Sequence, residues 1–505
     1  MSRKKKGKQK QQRATGQRSD AKTGLLTIAV FAVALHLRLL FLVSNIDKDW
    51  PYSIFYYGDS GHYHEYAVSL LRAEHYDNGI PYHPPLYAWV LAALYKIKGI
   101  PTQSGYFFKI CMAVLNSITI AIAWLWFRKI LPPGWNTAAT GILIFSFGWL
   151  VFSLTFNNEV LYALFLTATV AIVSSMSRQS SWRNVLLLGV MMGLGSLTRA
   201  EHLSLWLFML IYLWWQRNPN LGRTYYFTHW GTAIGVSLLI VLPWSIRNYK
   251  ILSQFNDRNP DMEPLPVVTT VSAYGPVNFA LANNHFSDGG FSPDLINRFT
   301  GGSAIDLTLA QHRYYFIHGY EEGLSWILSH KREALNLLAM KLARWSNGLA
   351  VGFGVSNWPG GLKGSRPPVD LFVPDNRILE WPFLALLILG FAFSFQKRYR
   401  TFSLCSLVLL HRLIVTALFF GYARSMVVML PVLIPLLLLP LMILAEKKFP
   451  VLEKMIPYAC GVLGVLLLLE SLGTATGSPK NYMSSGSVDE QGKIIQDARV
   501  EIWPK

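Results

Sequence analysis

The chain has 505 residues, 52% of them hydrophobic and 15% charged, with 46 Lys and Arg against 28 Asp and Glu. Soluble domains carry about 25% charged residues, so an ordinary soluble enzyme is excluded and a polytopic membrane protein is indicated. The formal charge of +18 would suit nucleic acid, but much of the excess lies in residues 1–23 and in short loops between apolar runs, a placement that suits a cytoplasmic membrane face and no nucleic-acid partner. Cys111, Cys405 and Cys460 each sit in an apolar segment, which gives neither a zinc spacing nor a disulfide framework.

In chain order, the run "GLLTIAVFAVALHLRLLFLVS" at 24–44 follows a basic head. It is longer than a signal-peptide core and has no small-x-small cleavage site, so it is read as an uncleaved first span. Apolar runs with their breakers then predict eleven spans, near 24–44, 105–128, 137–155, 159–176, 184–199, 202–215, 229–246, 379–396, 401–421, 425–445 and 455–472. Segment 84–98 is apolar but short and ends in lysines, and is expected to lie along the interface. The stretch 247–378 is too long for a bare connector; with its helical-looking section 306–347 it is expected to fold as an external domain capping the bundle. The fold class is thus an all-α polytopic membrane protein. Its expected parts are a basic tail (1–23), an N-terminal membrane module (24–246) with an external loop (45–104), the loop domain (247–378), C-terminal membrane helices (379–472) and a polar tail (473–505).

Loops on the side of the N-terminus (1–23, 128–137, 177–183, 216–229, 396–401 and 446–454) hold 21 Lys or Arg in 69 residues, against 6 in 70 for the opposite short segments (45–104, 155–158, 199–201 and 422–424). This bias places the N-terminus in the cytoplasm of a cell with the protein in its inner, or plasma, membrane. Nearly every polar oddity of the chain then collects on the outer face.

Among these, "YYGDSGHYHEYAVSLL" at 56–71 carries Asp59 and Glu65. A carboxylate at the water–membrane boundary can act as general base or metal ligand, or be a solvated loop acid; Glu65 can pair with His62 or His64 on one helix face. His83 precedes Pro84 and Pro85 at a helix start, where oriented N–H groups favour a phosphate. Arg38, and Arg199 with Glu201, are expected to face the bundle interior or a water-filled cavity, and an internal ion pair explains the last two about as well as function does. Arg424, at the outer end of a span without an acidic neighbour in sequence, suits a phosphate. Asn283 and Asn284 are either sugar-hydroxyl ligands or turn formers. Tyr63, Glu159, His202, Arg247 and Tyr422 fall on the same face and complete the candidates.

Taken in order, "GDSGHY", "HPPLYAW", "TFNNEVLY", "GLGSLTRAEHLSL", "LPWSIRNYK", "GPVNFALANNH" and "YARSMVVMLPVLIPLLLL" resemble the membrane-embedded C-type glycosyltransferases. The likeness runs over roughly residues 24–445 and is greatest to the bacterial branch related to aminoarabinose transferases and protein O-mannosyltransferases. It implies transfer of a sugar from a polyprenyl-phosphate donor, outside the membrane, to a hydroxyl or phosphate on a lipid, glycan or protein acceptor. Asp59 matches the family's first-loop aspartate, the essential acid. His83 stands where O-mannosyltransferases carry a histidine and aminoarabinose enzymes a lysine, and Arg424 matches a late-span arginine; both would hold the donor phosphate. Many relatives have Asp-Glu where this chain has Asp59-Ser60, so a two-carboxylate metal site does not carry over, and a divalent cation, Mg or Mn, stays open. The alternative is a transporter or flippase of polyprenyl-linked glycans, which would show internal repeats or polar midplane helices; the polar groups here crowd one interface.

Overall fold

The computed structural model describes residues 2–45, 59–74, 82–101, 106–154, 157–176, 180–292, 294–296, 305–353 and 377–448, with short pieces at 487–488 and 494–495. Helices dominate: α1 (Ser2–Asn45), α2 (Ser60–Leu71), α3 (Leu86–Lys98), α4 (Tyr106–Ile130), α5 (Pro133–Phe145), α6 (Phe147–Phe152), α7 (Glu159–Met176), α8 (Trp182–Thr198), a 3-10 turn (Ala200–Ser204) and α9 (Leu205–Trp215). There follow α10 (Arg223–Arg258), α11 (Gly275–Ala282), α12 (Ala310–Ser329), α13 (Lys331–Phe353), α14 (Arg377–Ser394), α15 (Ser403–Leu418), α16 (Ala423–Val427) and α17 (Leu430–Lys448). A two-residue antiparallel pair, Ser487–Val488 with Ile494–Ile495, lies in the tail.

Five helical stretches are long and apolar enough to cross a bilayer by length and composition: Ala21–Val43, Tyr106–Ile130, Glu159–Met176, Arg223–Arg258 and Lys397–Leu418. The protein is a multi-pass membrane protein. Expected spans 137–155, 184–199, 202–215, 379–396 and 425–445 are helical too, but shorter or broken. Ser146, in an extended conformation, separates α5 from α6, and a break after α16 precedes α17. The expected span 455–472, the loop parts 46–58 and 354–376 and most of the 473–505 tail lie outside the described residues.

Local chemistry sets the element ends. The Ser181 hydroxyl accepts from Asn184 N–H at the start of α8. Gly99, at φ +87, closes α3, its N–H donating to the Tyr95 carbonyl. α3 is a short helix in the segment expected to lie along the interface, and it packs with α2 through Tyr63, Ala67, Tyr87, Leu91 and Tyr95. The main core joins α4, α5, α7, α8, α9, α15 and α17. The second half of α13 enters that core, with Trp345, Leu349 and Val351 buried in it, so this part of the segment expected to be external is fastened into the bundle. Gly348 permits this, because a Cβ there would collide with the Ala423 carbonyl of α16.

Arg38, fully buried in α1, donates to Asn116 Oδ1 at 2.6 Å and to the Ala34 carbonyl at 3.0 Å. It does face the interior, as burial of a charge in a membrane bundle requires.

Candidate active site

Asp59 is the N-cap residue of α2, yet its side chain makes no capping bond. An aspartate there ordinarily accepts from the first-turn N–H groups. Here Oδ2 instead accepts from Arg424 Nη2 at 3.2 Å, and Oδ1 stands 4.0 Å from His83 Nε2. Three segments far apart in sequence thus meet at one carboxylate, which remains 34% exposed. Burial pushes the Asp59 carboxyl up, but the Arg424 guanidinium, helped by His83, His62 and Arg199, outweighs it and holds the group at about 2.

Behind this point runs a ladder of alternating charge. Arg424 Nε lies 3.4 Å from Glu159 Oε1, which also accepts from Arg199 Nη1 at 3.0 Å. Arg199 Nε donates to Glu201 Oε1 at 2.7 Å, and Arg412 Nη1 donates to the same atom at 2.8 Å. The backbone contributes to this order. Glu159 opens the first turn of α7 and Arg199 is the C-cap of α8, the ends where helix dipoles favour an anion and a cation respectively. Glu159 Oε2 is buried with no hydrogen-bond partner among the described residues.

An aromatic shell surrounds the exposed end. Tyr66 Oη is 2.9 Å from His83 Nδ1; His62 stacks on the His83 ring at 5.8 Å, Tyr63 meets it edge-on at 5.3 Å and Tyr82 at 4.1 Å. Asn158 Nδ2 donates to the Tyr63 hydroxyl at 2.6 Å and to the Thr198 carbonyl. Tyr422 N-caps α16 and places its ring 4.8 Å from the Arg424 guanidinium.

The structure therefore brings together Asp59, Tyr63, His83, Glu159, Arg199, Glu201, Tyr422 and Arg424. Other candidates are engaged differently. His202 is buried against Tyr162 and beneath Gly195, with neither ring nitrogen hydrogen-bonded among the described residues. Arg247 lies over the Trp244 ring at 4.4 Å. The Asn283 amide donates to the Phe279 and Leu418 carbonyls and accepts from Lys341 Nζ, and the Asn284 amide donates to the Ala280 and Leu281 carbonyls; both serve the end of α11. Glu65 stays on the helix surface, 3.9 Å from His62, while His64 is buried against the Tyr95 hydroxyl.

Sequence reasoning missed Arg412, Asn158 and Tyr66. Arg412 falls inside the expected span 401–421, so the rule that singled out Arg38 and Arg199 would have found it. Tyr66 lies three residues after Tyr63 and seven after Asp59, the spacing of one helix face.

The described carboxylates are engaged by cations. Asp59, Glu159 and Glu201 each face a guanidinium, and among the described residues no three His, Cys, Asp or Glu side chains stand together to share a metal.

The helical membrane bundle thus gathers a carboxylate, an imidazole and a guanidinium at one end, beside α2 and α3. Residues 82–246 match the family model of dolichyl-phosphate-mannose-protein mannosyltransferases. The chain is similar to the archaeal oligosaccharyltransferase AglB from Archaeoglobus fulgidus in complex with an inhibitory peptide and a dolichol-phosphate. The identity is 14% and the TM-score 0.50, over 91% of this chain and 56% of that one. With the apo form of the Archaeoglobus fulgidus oligosaccharyltransferase the identity is 11% and the TM-score 0.51, over the same shares. The chain thus spans little more than half the length of these proteins. No curated protein matches it. The chain thus shares its fold with these oligosaccharyltransferases over most of its own length, and residues 82–246, about a third of it, match the mannosyltransferase family model.

Proposed function

We propose that the protein moves a sugar from a polyprenyl-phosphate donor to an acceptor on the extracytoplasmic face of the plasma membrane. The observation that carries this reading is the meeting of Asp59 with Arg424 and His83. It sets a proton acceptor beside two groups suited to a phosphate, on the face where the lysine and arginine count puts the outside.

In the proposed step the acceptor oxygen bonds to the anomeric carbon as the bond from that carbon to the phosphate oxygen breaks. The electron pair leaves with the phosphate, and Asp59 takes the acceptor hydroxyl's proton. One displacement of this kind inverts the anomeric centre. Arg424 offers a planar donor fork to the phosphate, and His83 Nε2 approaches it from the other side of Asp59. Both meet charge that grows as the bond breaks, which is where fixed donors contribute most to rate. The guanidinium and imidazole groups supply the electrostatics for which other enzymes use a metal. The dolichol-phosphate held by the archaeal oligosaccharyltransferase fits the same ligand chemistry.

The reading is tested by mass analysis of envelope lipids and glycans from cells with and without the protein. Loss of one sugar from one lipid, glycan or protein class is expected, with its carrier-linked donor accumulating. Unchanged glycans together with accumulation of a complete carrier-linked glycan on the cytoplasmic side would instead mark a transporter.

A further inference from the structure

α15 ends at Leu418, and the chain leaves the helical path at Phe419, with φ −116 and ψ −118. The last carbonyls of a helix have no partner within it, and here distant side chains supply two of them. Lys341 Nζ donates to the Ala417 carbonyl at 3.2 Å and to Asn283 Oδ1 at 2.8 Å, while Asn283 Nδ2 donates to the Leu418 carbonyl at 2.9 Å. Lys341 belongs to α13 and is only 1% exposed. A buried ammonium is costly unless its donors are used, and a methionine would fill much the same volume without that cost. The lysine is therefore explained by the carbonyl and the amide it reaches, and packing alone does not require it.

The backbones meet as closely as the side chains. Gly421 N–H donates to the Gly289 carbonyl at 2.8 Å. A Cβ at Gly421 would lie 2.0 Å from the Lys341 carbonyl oxygen, and one at Gly289, whose φ is +93, would lie 2.9 Å from the Lys341 amide nitrogen. Two glycines thus let the turn 419–422 and the chain at 289 close on the same residue of α13.

We propose that Lys341 is a positioning residue for phosphate binding: with Asn283 it locks the turn 419–422, and the turn sets where Arg424 stands. The inference rests on the reading that Arg424 holds the donor phosphate. Tyr422, the last residue of the turn, N-caps α16, and Arg424 follows two positions later with its guanidinium 4.8 Å from the Tyr422 ring. α16 has five residues, too few to hold a helix in place by itself, so its position comes from what it is joined to and packed against. Arg424 must also reach two other elements, with Asp59 Oδ2 at 3.2 Å and Glu159 Oε1 at 3.4 Å. A planar fork serves an anion well only when its plane and its direction are both right, so a small movement of the turn spoils it. The Lys341 donors point to Ala417 and Asn283, which makes its effect on a phosphate one that passes through Arg424.

The experiment is calorimetric titration of the full chain in detergent with a sugar-free polyprenyl phosphate, for wild type, Lys341→Met, Arg424→Ala and the double variant. Lys341→Met should raise Kd about 10- to 100-fold, the range for a misdirected hydrogen bond to a charged group. Arg424→Ala should raise it at least as much. The double variant should bind within about twofold of Arg424→Ala, because Lys341 has no other route to the phosphate. A lysine that only supported the fold would lower the thermal midpoint and the binding stoichiometry and leave the Kd of the remaining sites unchanged. Gly421→Ala forces the turn off the Lys341 carbonyl without removing a buried charge. It tests the same link should Lys341→Met fail to fold, and is expected to show the same loss and the same non-additivity with Arg424→Ala. Wild-type Kd in either single variant, or a further loss of about tenfold in the double variant, overturns the inference and leaves the phosphate site standing. Absence of binding by wild type, or wild-type binding by Arg424→Ala, overturns the reading beneath it and the inference with it.

Discussion

Asp59 begins α2 without capping it, and its carboxylate turns to Arg424 and His83. Asp59→Asn keeps the shape and removes the proton acceptor. Transfer should fall about 10²- to 10⁴-fold, while sugar-free carrier phosphate binds at least as tightly, since a repelling charge is gone; weakened binding in a calorimetric titration would argue against a base at this position. The pH response follows in sign. The group is held at about 2 in the folded chain against about 3.9 unfolded, so its stabilising contribution is complete above the unfolded value and is lost only as pH falls toward 2. The difference in thermal midpoint between wild type and Asp59→Asn should therefore stay constant from pH 5 to 8. Arg424→Ala should weaken carrier-phosphate binding, and Lys should restore only part, lacking the fork. Chelation should leave transfer within about twofold, in contrast with the many-fold loss on removing a metal Lewis acid. Asp59, His83 and Arg424 were legible in the sequence because short motifs surround them. Their pairing was not, since Arg424 and Asp59 are 365 positions apart and nothing local marks the contact. The amides of Asn283 and Asn284 show the reverse case, in which a polar pair at a helix end serves the helix.

At the scale of elements, the apolar runs fixed where helices lie, because the bilayer demands satisfied backbone over a set length. They did not reveal the breaks, such as that at Ser146, or the entry of α13 into the core. That entry rests on small side-chain volume rather than on hydrophobic pattern. Gly348 lets α13 reach the Ala423 carbonyl of α16, and α16 carries Arg424. Gly348→Leu should push α16 aside and reduce carrier-phosphate affinity about tenfold or more, in keeping with the cost of overpacking; unchanged affinity would mean that α16 is held from elsewhere. Glu159 ties α7 to α8 and α16 through two arginines. Glu159→Gln removes one of the two carboxylates that each of those guanidinium groups faces, leaving Glu201 to Arg199 and Asp59 to Arg424, and should appear as a lowered thermal midpoint.

For the whole molecule, the orientation proposed from the charge bias between loops has the site open to the outside together with α11, α12 and the start of α13. In a cysteine-free background, Val268→Cys, 87% exposed, should react with an impermeant thiol reagent on intact cells, and Lys10→Cys only after lysis; the opposite pattern would invert the topology. The proposed outward position matters because a lipid-borne donor and a water-soluble acceptor would meet only at an interface. The central claim is that this interface is where sugar transfer occurs with Asp59 as base, and reconstitution measures it most directly. Radiolabelled polyprenyl-phosphate sugar and membrane-extract acceptor are supplied to proteoliposomes bearing wild type, Asp59→Asn or Glu65→Gln. Label should pass to acceptor with wild type and, within about tenfold, with Glu65→Gln, and be lost by at least about 10²-fold with Asp59→Asn; full transfer by Asp59→Asn, or none by wild type, would contradict it.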